Sequence, residues 1–287
     1  RAFNPAMRIV FVGDDWQAIN RFAGSSVAIF SNKLSERFGK CAPARLDTNY
    51  RSCHSIVEAG NKSMSGLGNP AVSKVTDAGR IERAYYDKTW IHFMPDMANP
   101  EQILRDEPFD KSPLVKTLYQ LAMPDLVAGK TVGVLFRTNN FFGTSIDDLR
   151  NTFFRAIKAF GWPKPLVEEI RDQIRFSTAH KFKGEECQTI FVVDPHEGSF
   201  PLIMPSSIEL FQLYGDSLEQ ALEDERRLFY VAITRACERL VFLCDSARLN
   251  ESPFLESIAT MITNISVSSD IILPKQAPPE GGNPRAV

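Results

Sequence analysis

Arg235 closes a helical stripe on which it is the only cation. Residues 217–236 read as a helix that starts at the capping run Gly215-Asp216-Ser217, and Leu218, Leu222, Glu225, Leu228, Ala232 and Arg235 fall on one face. An arginine on an apolar stripe must point to a surface or a cleft, because a buried cation is costly unless a phosphate or a carboxylate meets it. Arg51 follows Tyr50, whose flat ring offers a stacking surface. A guanidinium supplied from across a cleft can neutralise the charge of a phosphoryl-transfer transition state, a factor of roughly 10³–10⁵ in rate. Gln17 carries both a donor and an acceptor, which suits it to sense a phosphate or orient a water. It lies just after Gly13-Asp14-Asp15, an acidic turn that ends the apolar run Ile9-Val10-Phe11-Val12, and ligands of open α/β sheets sit at the carboxyl ends of strands. Plainer roles compete: a salt bridge for Arg235, a half-buried packing position for Tyr50, a satisfied structural position for His180, and a solvated face for Lys181 and Lys183.

Neither the phosphate-cradling loop G-x-x-x-x-G-K-[ST] nor an apolar strand ending in Asp-Glu, which could hold magnesium, is found. Asp224-Glu225 follows a charged helical stretch and cannot stand in for the latter. Any part in nucleotide hydrolysis is therefore expected from the side opposite the phosphate loop.

Positioning these residues requires a sheet. The apolar runs 132–136, 189–193 and 240–244 lack the in/out alternation of a half-wet strand and have helical stretches nearby, which predicts strands covered on both faces. Residues 9–12, 81–86 and 174–178 are further candidate strands. Helices are expected over 27–38, 55–64, 113–128, 146–160 and 217–236. The fold class is α/β, a mostly parallel sheet flanked by helices. Residues 94–113, with four prolines, read as an irregular connection, and 274–287 as a Pro/Gly-rich tail.

At 287 residues, 44% hydrophobic and 24% charged, the chain can bury a core. Its 33 Lys and Arg against 35 Asp and Glu leave a charge of −2, so a polyanion must be held locally rather than by a uniformly basic surface. Five cysteines, Cys41, Cys53, Cys187, Cys237 and Cys244, show no CxxC pairing, which argues for reduced thiols in a cytoplasmic setting, with no zinc site. No apolar stretch approaches the roughly 18 residues of a membrane span, so no membrane partner is expected. The chain begins with Arg1 and reads as part of something longer.

Four segments carry a resemblance to a known family. Gly13-Asp14-Asp15-Trp16-Gln17-Ala18-Ile19-Asn20-Arg21-Phe22 resembles motif III of superfamily 1 DNA helicases of the UvrD/Rep type. Leu46-Asp47-Thr48-Asn49-Tyr50-Arg51-Ser52 resembles motif IV, and Val134-Leu135-Phe136-Arg137-Thr138-Asn139 the strand and turn that follow it. Ser177-Thr178-Ala179-His180-Lys181-Phe182-Lys183-Gly184-Glu185-Glu186 is similar to motif V, continued by Glu197-Gly198-Ser199-Phe200-Pro201. Glu225-Arg226-Arg227-Leu228-Phe229-Tyr230-Val231-Ala232-Ile233-Thr234-Arg235-Ala236 matches motif VI. The likeness runs from about Ile9 to Ile258. The Gly-Asp-Asp-Trp-Gln wording, Ser252-Pro253-Phe254, and the short stretch between Asn140 and Ser177, where most relatives insert an accessory domain, resemble the helicase IV branch most.

The resemblance implies a RecA-like domain of the P-loop NTPase type over residues 40–262, preceded by the tail of a first motor domain (1–39) and followed by a tail (263–287). It implies ATP bound between this domain and an N-terminal motor domain of the same protein, which would hold the magnesium. Arg51 and Arg235 would contact the phosphates, Gln17 would couple the ATP and DNA sites, Tyr50 would stack on the purine, and Gly184 and Glu186 would line the nucleotide, Glu186 at the ribose. Single-stranded DNA would lie along Phe22, Arg137, Thr178 and His180, moved in the 3′ to 5′ direction. Asn20 and Ala23 depart from the family, where an aromatic residue and an arginine are common. Two other readings stay open: a nucleic-acid-binding or regulatory module without a motor, and an interaction domain on the same scaffold. On its own the chain is expected not to hydrolyse ATP.

Overall fold

The computed structural model describes residues 8–19, 34–39, 42, 44–86, 112–141, 143–203, 217–248, 250–267 and 272–274. A short helix α1 (Leu34–Phe38) precedes strand β1 (Thr48–Asn49), helix α2 (His54–Ser63), β2 (Val72–Ser73) and β3 (Arg80–Tyr86). Next come α3 (Pro113–Val127), β4 (Val132–Phe136), the hairpin of β5 (Asn140–Phe141) and β6 (Thr144–Ser145), α4 (Ile146–Ala159) and α5 (Lys164–Gln173). The remaining elements are β7 (Ile174–Thr178), β8 (Cys187–Val193), α6 (Leu218–Ile233), β9 (Ala236–Asp245), α7 (Pro253–Glu256) and β10 (Thr263–Asn264). Six strands form one sheet in the order β10-β3-β9-β8-β4-β7, with every neighbouring pair parallel.

All five residues of β4 are buried, as a strand covered on both faces requires. Side-chain alternation then divides the core in two. Val132, Val134 and Phe136 of β4 and Val241 and Leu243 of β9 meet α3, α4 and α5 on one face. Leu135, Leu240 and Phe242 meet α2 and α6 on the other, together with Phe182, Phe200 and Ile19. Each fully buried Leu, Ile or Phe stabilises the fold by about 1.5–3 kcal/mol. Helices α4 and α6 begin at capping boxes, Ser145 with Asp148 and Ser217 with Gln220, so their first turns leave few N–H groups unpaired.

Several expectations change. Residues 9–12 form no strand: Val10 is 84% exposed, and a lone apolar run cannot make a ladder without a sheet edge to take its backbone groups. Helix α6 ends at Ile233, so Arg235 lies in the turn beyond the helix and not on its stripe. The sheet wins this boundary, because Ala236 pairs with Cys187 on β8 and starts β9. The expected boundary at residue 262 falls inside the folded unit, since β10 pairs with β3, and Ile265, Val267 and Ile272 pack on the core. Helix α5 is an element the sequence reading left out; Val167 and Ile170, three apart, are its buried face. Within the expected helix 27–38, residues 27–33 lie outside the described residues, as do 94–111, 275–287 and Cys41. The other four cysteines are free thiols. No helix among the described residues is long and apolar enough to cross a membrane.

A charged network locks β9 to its neighbours. Arg239 donates to Glu82 on β3 at 2.7 Å and to Asp125 on α3 at 2.9 Å, and the Thr189 hydroxyl on β8 donates to the same Asp125 oxygen at 2.8 Å. All four side chains are buried. Asp125→Ala removes one partner and leaves Glu82 to hold the guanidinium, so the expected loss is about 2–3 kcal/mol. A lowered urea midpoint with an unchanged denaturant slope is the expected reading; an unshifted midpoint would show that the network is neutral.

Candidate functional site

Arg51 and Arg235 meet at one rim of the sheet, where β8 and β9 begin. Asn49 ends β1 and turns its Oδ1 to the backbone N–H groups of Arg51 and Ser52, both at 2.9 Å. This side-chain turn leads directly into α2. The Ser52 hydroxyl donates to the Ala236 carbonyl at 2.8 Å and the Cys53 N–H to the Cys237 carbonyl at 2.8 Å, which ties the turn to the start of β9. The Arg51 side chain then reaches the Thr234 carbonyl at 2.9 Å and Glu186 at 3.5 Å. Arg235 is the very next residue after Thr234. Its Nε donates to the Val231 carbonyl at 3.1 Å and its Nη1 to the Glu185 carbonyl at 3.2 Å.

Two donors are left over. Arg235 Nη2 and Arg51 Nε are buried and form no hydrogen bond. Arg235 is 2% exposed, and burial, followed by the positive charge of Arg51, pulls its pKa below the usual guanidinium value. Two cations crowded together with donors unmet make a place where an anion would be stabilised. Glu186, more than half exposed, is the carboxylate at its edge. Tyr50 is 75% exposed, so its ring is open to a partner. Gly184 has φ +95°, a conformation that glycine adopts without strain, and opens the turn before Glu186.

Gln17 is brought to this region by a short anchored turn. Asp14 accepts from the Trp16 N–H at 3.0 Å and from Gln17 Nε2 at 2.6 Å, and Lys183 donates to the Gln17 carbonyl at 2.7 Å. Trp16 is buried with its ring edge-on to Tyr230 on α6, centroids 5.2 Å apart. Tyr230 has its pKa pushed up to about 12, by burial first and then by the charge of Asp14.

The residues expected along a DNA strand are at the opposite rim, where β4 and β7 end. Arg137 does not face an open path there: it makes a two-pronged pair with Glu225 of α6, at 2.5 and 3.1 Å, and its side chain is 15% exposed. Glu225 also accepts from the Leu202 N–H at 3.0 Å. A half-buried carboxylate needs such partners, which is why the pair outcompetes solvent. Thr178 is buried, and its hydroxyl accepts from the Lys181 N–H at 3.3 Å. His180 is half-buried beside the pair. Phe22 lies outside the described residues.

Residues 161–246 match the UvrD-like helicase C-terminal domain. Over 266 residues the chain is 28% identical to DNA helicase IV of Escherichia coli K12, covering 91% of this chain and 33% of that protein. It is 40% identical over 82 residues to the ATP-dependent DNA helicase Rep of Salmonella typhimurium, covering 28% of this chain and 10% of that one. DNA helicase II of Escherichia coli is 38% identical over 72 residues, 24% of this chain and 8% of its own length. The chain therefore spans a third or less of these relatives. Among solved structures it is similar to the C-terminal domain of a possible DNA helicase from Lactobacillus plantarum, at 16% identity and TM-score 0.38, covering 75% of this chain and 98% of that one.

The site also depends on residues outside the motif expectations. Trp16 and Tyr230 hold the Gln17 turn, and the fit is tight, since a Cβ on Gly68 would come within 2.6 Å of the Trp16 indole nitrogen. No local signal announces this contact, because its partners are distant in the chain. Asn49 could have been found, as Asn is the residue type that hydrogen-bonds the backbone two positions on. Lys183 is exposed, as the solvated-face alternative had it, and donates to the Gln17 carbonyl.

His180 gives a pH test. Burial first, then Arg137, lower its pKa below 6.5, with Glu225 opposing. A lowered histidine pKa means that the folded state binds the proton less tightly than the unfolded one, so stability is full above pH 6.5 and falls as the pH drops below it. Histidine NMR titration should place His180 below 6.5, and Arg137→Ala should raise it. A His180 that titrates at 6.5 in both proteins contradicts the described environment.

Proposed function

We propose that this chain is the C-terminal motor half of an ATP-dependent superfamily 1 DNA helicase. In this reading Arg51 and Arg235 face the phosphates of ATP seated on an N-terminal motor domain of the same protein, which also holds the magnesium ion. The observation that carries it is the rim of β8 and β9, where two guanidinium groups share one turn, each with a buried donor unmet. A purely structural role is less well supported, because Arg235 bonds backbone carbonyls rather than a carboxylate.

The residues on hand fit a triphosphate. ATP, when bound, supplies the anionic oxygens that the free donors lack. Arg235 and Arg51 would stabilise charge on the transferred group, worth roughly 10³–10⁵ in rate for one arginine. Gln17, steered by Asp14, would sense the γ-phosphate or orient water. Tyr50 would stack on the purine and Glu186 would accept from the ribose hydroxyls. Opening and closing of the cleft would move the protein 3′ to 5′ along single-stranded DNA and unwind duplex ahead of it, in the cytoplasm. The strand would run past Phe22, Thr178 and His180, with Arg137 acting through its pair with Glu225 rather than as a free phosphate contact.

Arg235→Ala in the full-length protein is expected to cut DNA-stimulated ATP hydrolysis by roughly 10³-fold or more. Hydrolysis within a few-fold of the parent would overturn the reading and favour a helicase-derived nucleic-acid-binding module without a motor.

A further inference from the structure

A second cationic site lies on the other side of the sheet. Helices α4 and α5 enclose a surface groove of about 280 Å³ lined by Asn151, Phe154, Arg155, Lys158 and Arg171. Asn151, Arg155 and Lys158 recur at positions i, i+4 and i+7 on α4 and so share one stripe. Arg171 comes from α5, with its guanidinium carbon 4.3 Å from the centre of the Phe154 ring. That stacking holds the cation in place while leaving its N–H edges free to donate.

None of the three cations forms an ion pair among the described residues. Asp147 is taken by Arg150 at 3.0 Å, and Asp148 by the capping box of α4. The carboxylates of α5, Glu168, Glu169 and Asp172, form no ion pair with them. Three unpaired positive charges converging on one concave surface, in a chain of net charge −2, repel one another unless an anion joins them.

The chemistry of the groove selects the anion. Guanidinium, ammonium and amide groups suit phosphate oxygens, and contacts to phosphate carry no sequence information. The ring at the site, Phe154, is 5% exposed and covered by Arg171, so it offers no face on which an unpaired base could stack. A single strand would therefore gain nothing here over a duplex. The groove sits on the α3, α4 and α5 face, away from the Arg51 and Arg235 rim between α2 and α6, and α4 starts directly after the β5–β6 hairpin that follows β4. We infer that the α4–α5 groove binds the sugar-phosphate backbone of duplex DNA. The inference rests on the helicase reading for its choice of nucleic acid, and on the groove itself for its charge.

Arg155→Gln/Lys158→Gln in the full-length protein tests it. Both side chains are exposed, and unchanged unfolding confirms that the fold is kept. The probes are a blunt DNA duplex and an unstructured single strand of equal length, followed by fluorescence anisotropy over a salt series. Duplex affinity should fall about tenfold, and the slope of log affinity on log salt should fall by about 1.8, the value for two lost phosphate contacts. Single-strand affinity and single-strand-stimulated ATP hydrolysis should stay within about twofold, as neither residue belongs to the rim site or the strand path. Unchanged duplex affinity overturns the inference, and so does an equal loss on both probes. Loss of polyglutamate binding alone would reassign the groove to an acidic peptide. A parent protein that binds DNA without hydrolysing ATP would sink the motor reading while leaving the duplex comparison decisive for the groove.

Discussion

Arg235 has almost no contact with water and yet keeps one guanidinium nitrogen without a partner, and this burial constrains the architecture around it. A charge in that position is tolerated only if carbonyls meet most of its donors and something anionic is within reach. Val231 and Glu185 provide the carbonyls, which requires α6 to stop two residues before Arg235 and the turn of residues 179–184 to bring Glu185 alongside. Asn49 then sets the second arginine on the neighbouring loop, and the Ser52 and Cys53 bonds to β9 keep it there. The parallel sheet makes this possible because β8 and β9 start side by side, so that residues far apart in sequence enter the same rim.

The two rims of the sheet divide the chemistry. At the starts of β8 and β9 the structure gathers cations with unmet donors. At the ends of β4 and β7 it neutralises its charge internally, since Arg137 and Glu225 satisfy each other and hold α6 against the strand end. The second half of α6 thus leads from the ion pair of Glu225, midway along the helix, to the buried arginine just past its end. The loop from Thr178 to Glu186 crosses between the rims, and Lys183 on it holds the backbone of Gln17. This is a physical connection along which a change at one rim could reach the other.

Much of this was legible in the residues. Strands β4 and β7 coincide with the expected bounds: β4 is a run of five buried residues, and β7, with only Ile174 and Thr178 buried, is the edge strand beside it. The motifs brought Arg51, Arg235, Glu186 and Gln17 to one region, as the four segments together suggested. What failed depended on partners distant in sequence. Residues 9–12 have the composition of a strand but no ladder to join. Arg235 continues the helical spacing of α6, yet pairing of Ala236 with Cys187 takes the chain into the sheet. Arg137 reads as a free cation until α6 folds over it, although Glu225, an acid on an apolar stripe, was the available hint.

The central claim is that Arg51 and Arg235 act on one anion as a unit. A double-mutant cycle on ATP hydrolysis by the full-length protein, with Arg51→Ala, Arg235→Ala and the pair, tests it most directly. The account predicts that the double variant is little slower than the worse single variant, a coupling of about 1 kcal/mol or more. Losses that add in full, or single variants as fast as the parent, would contradict it.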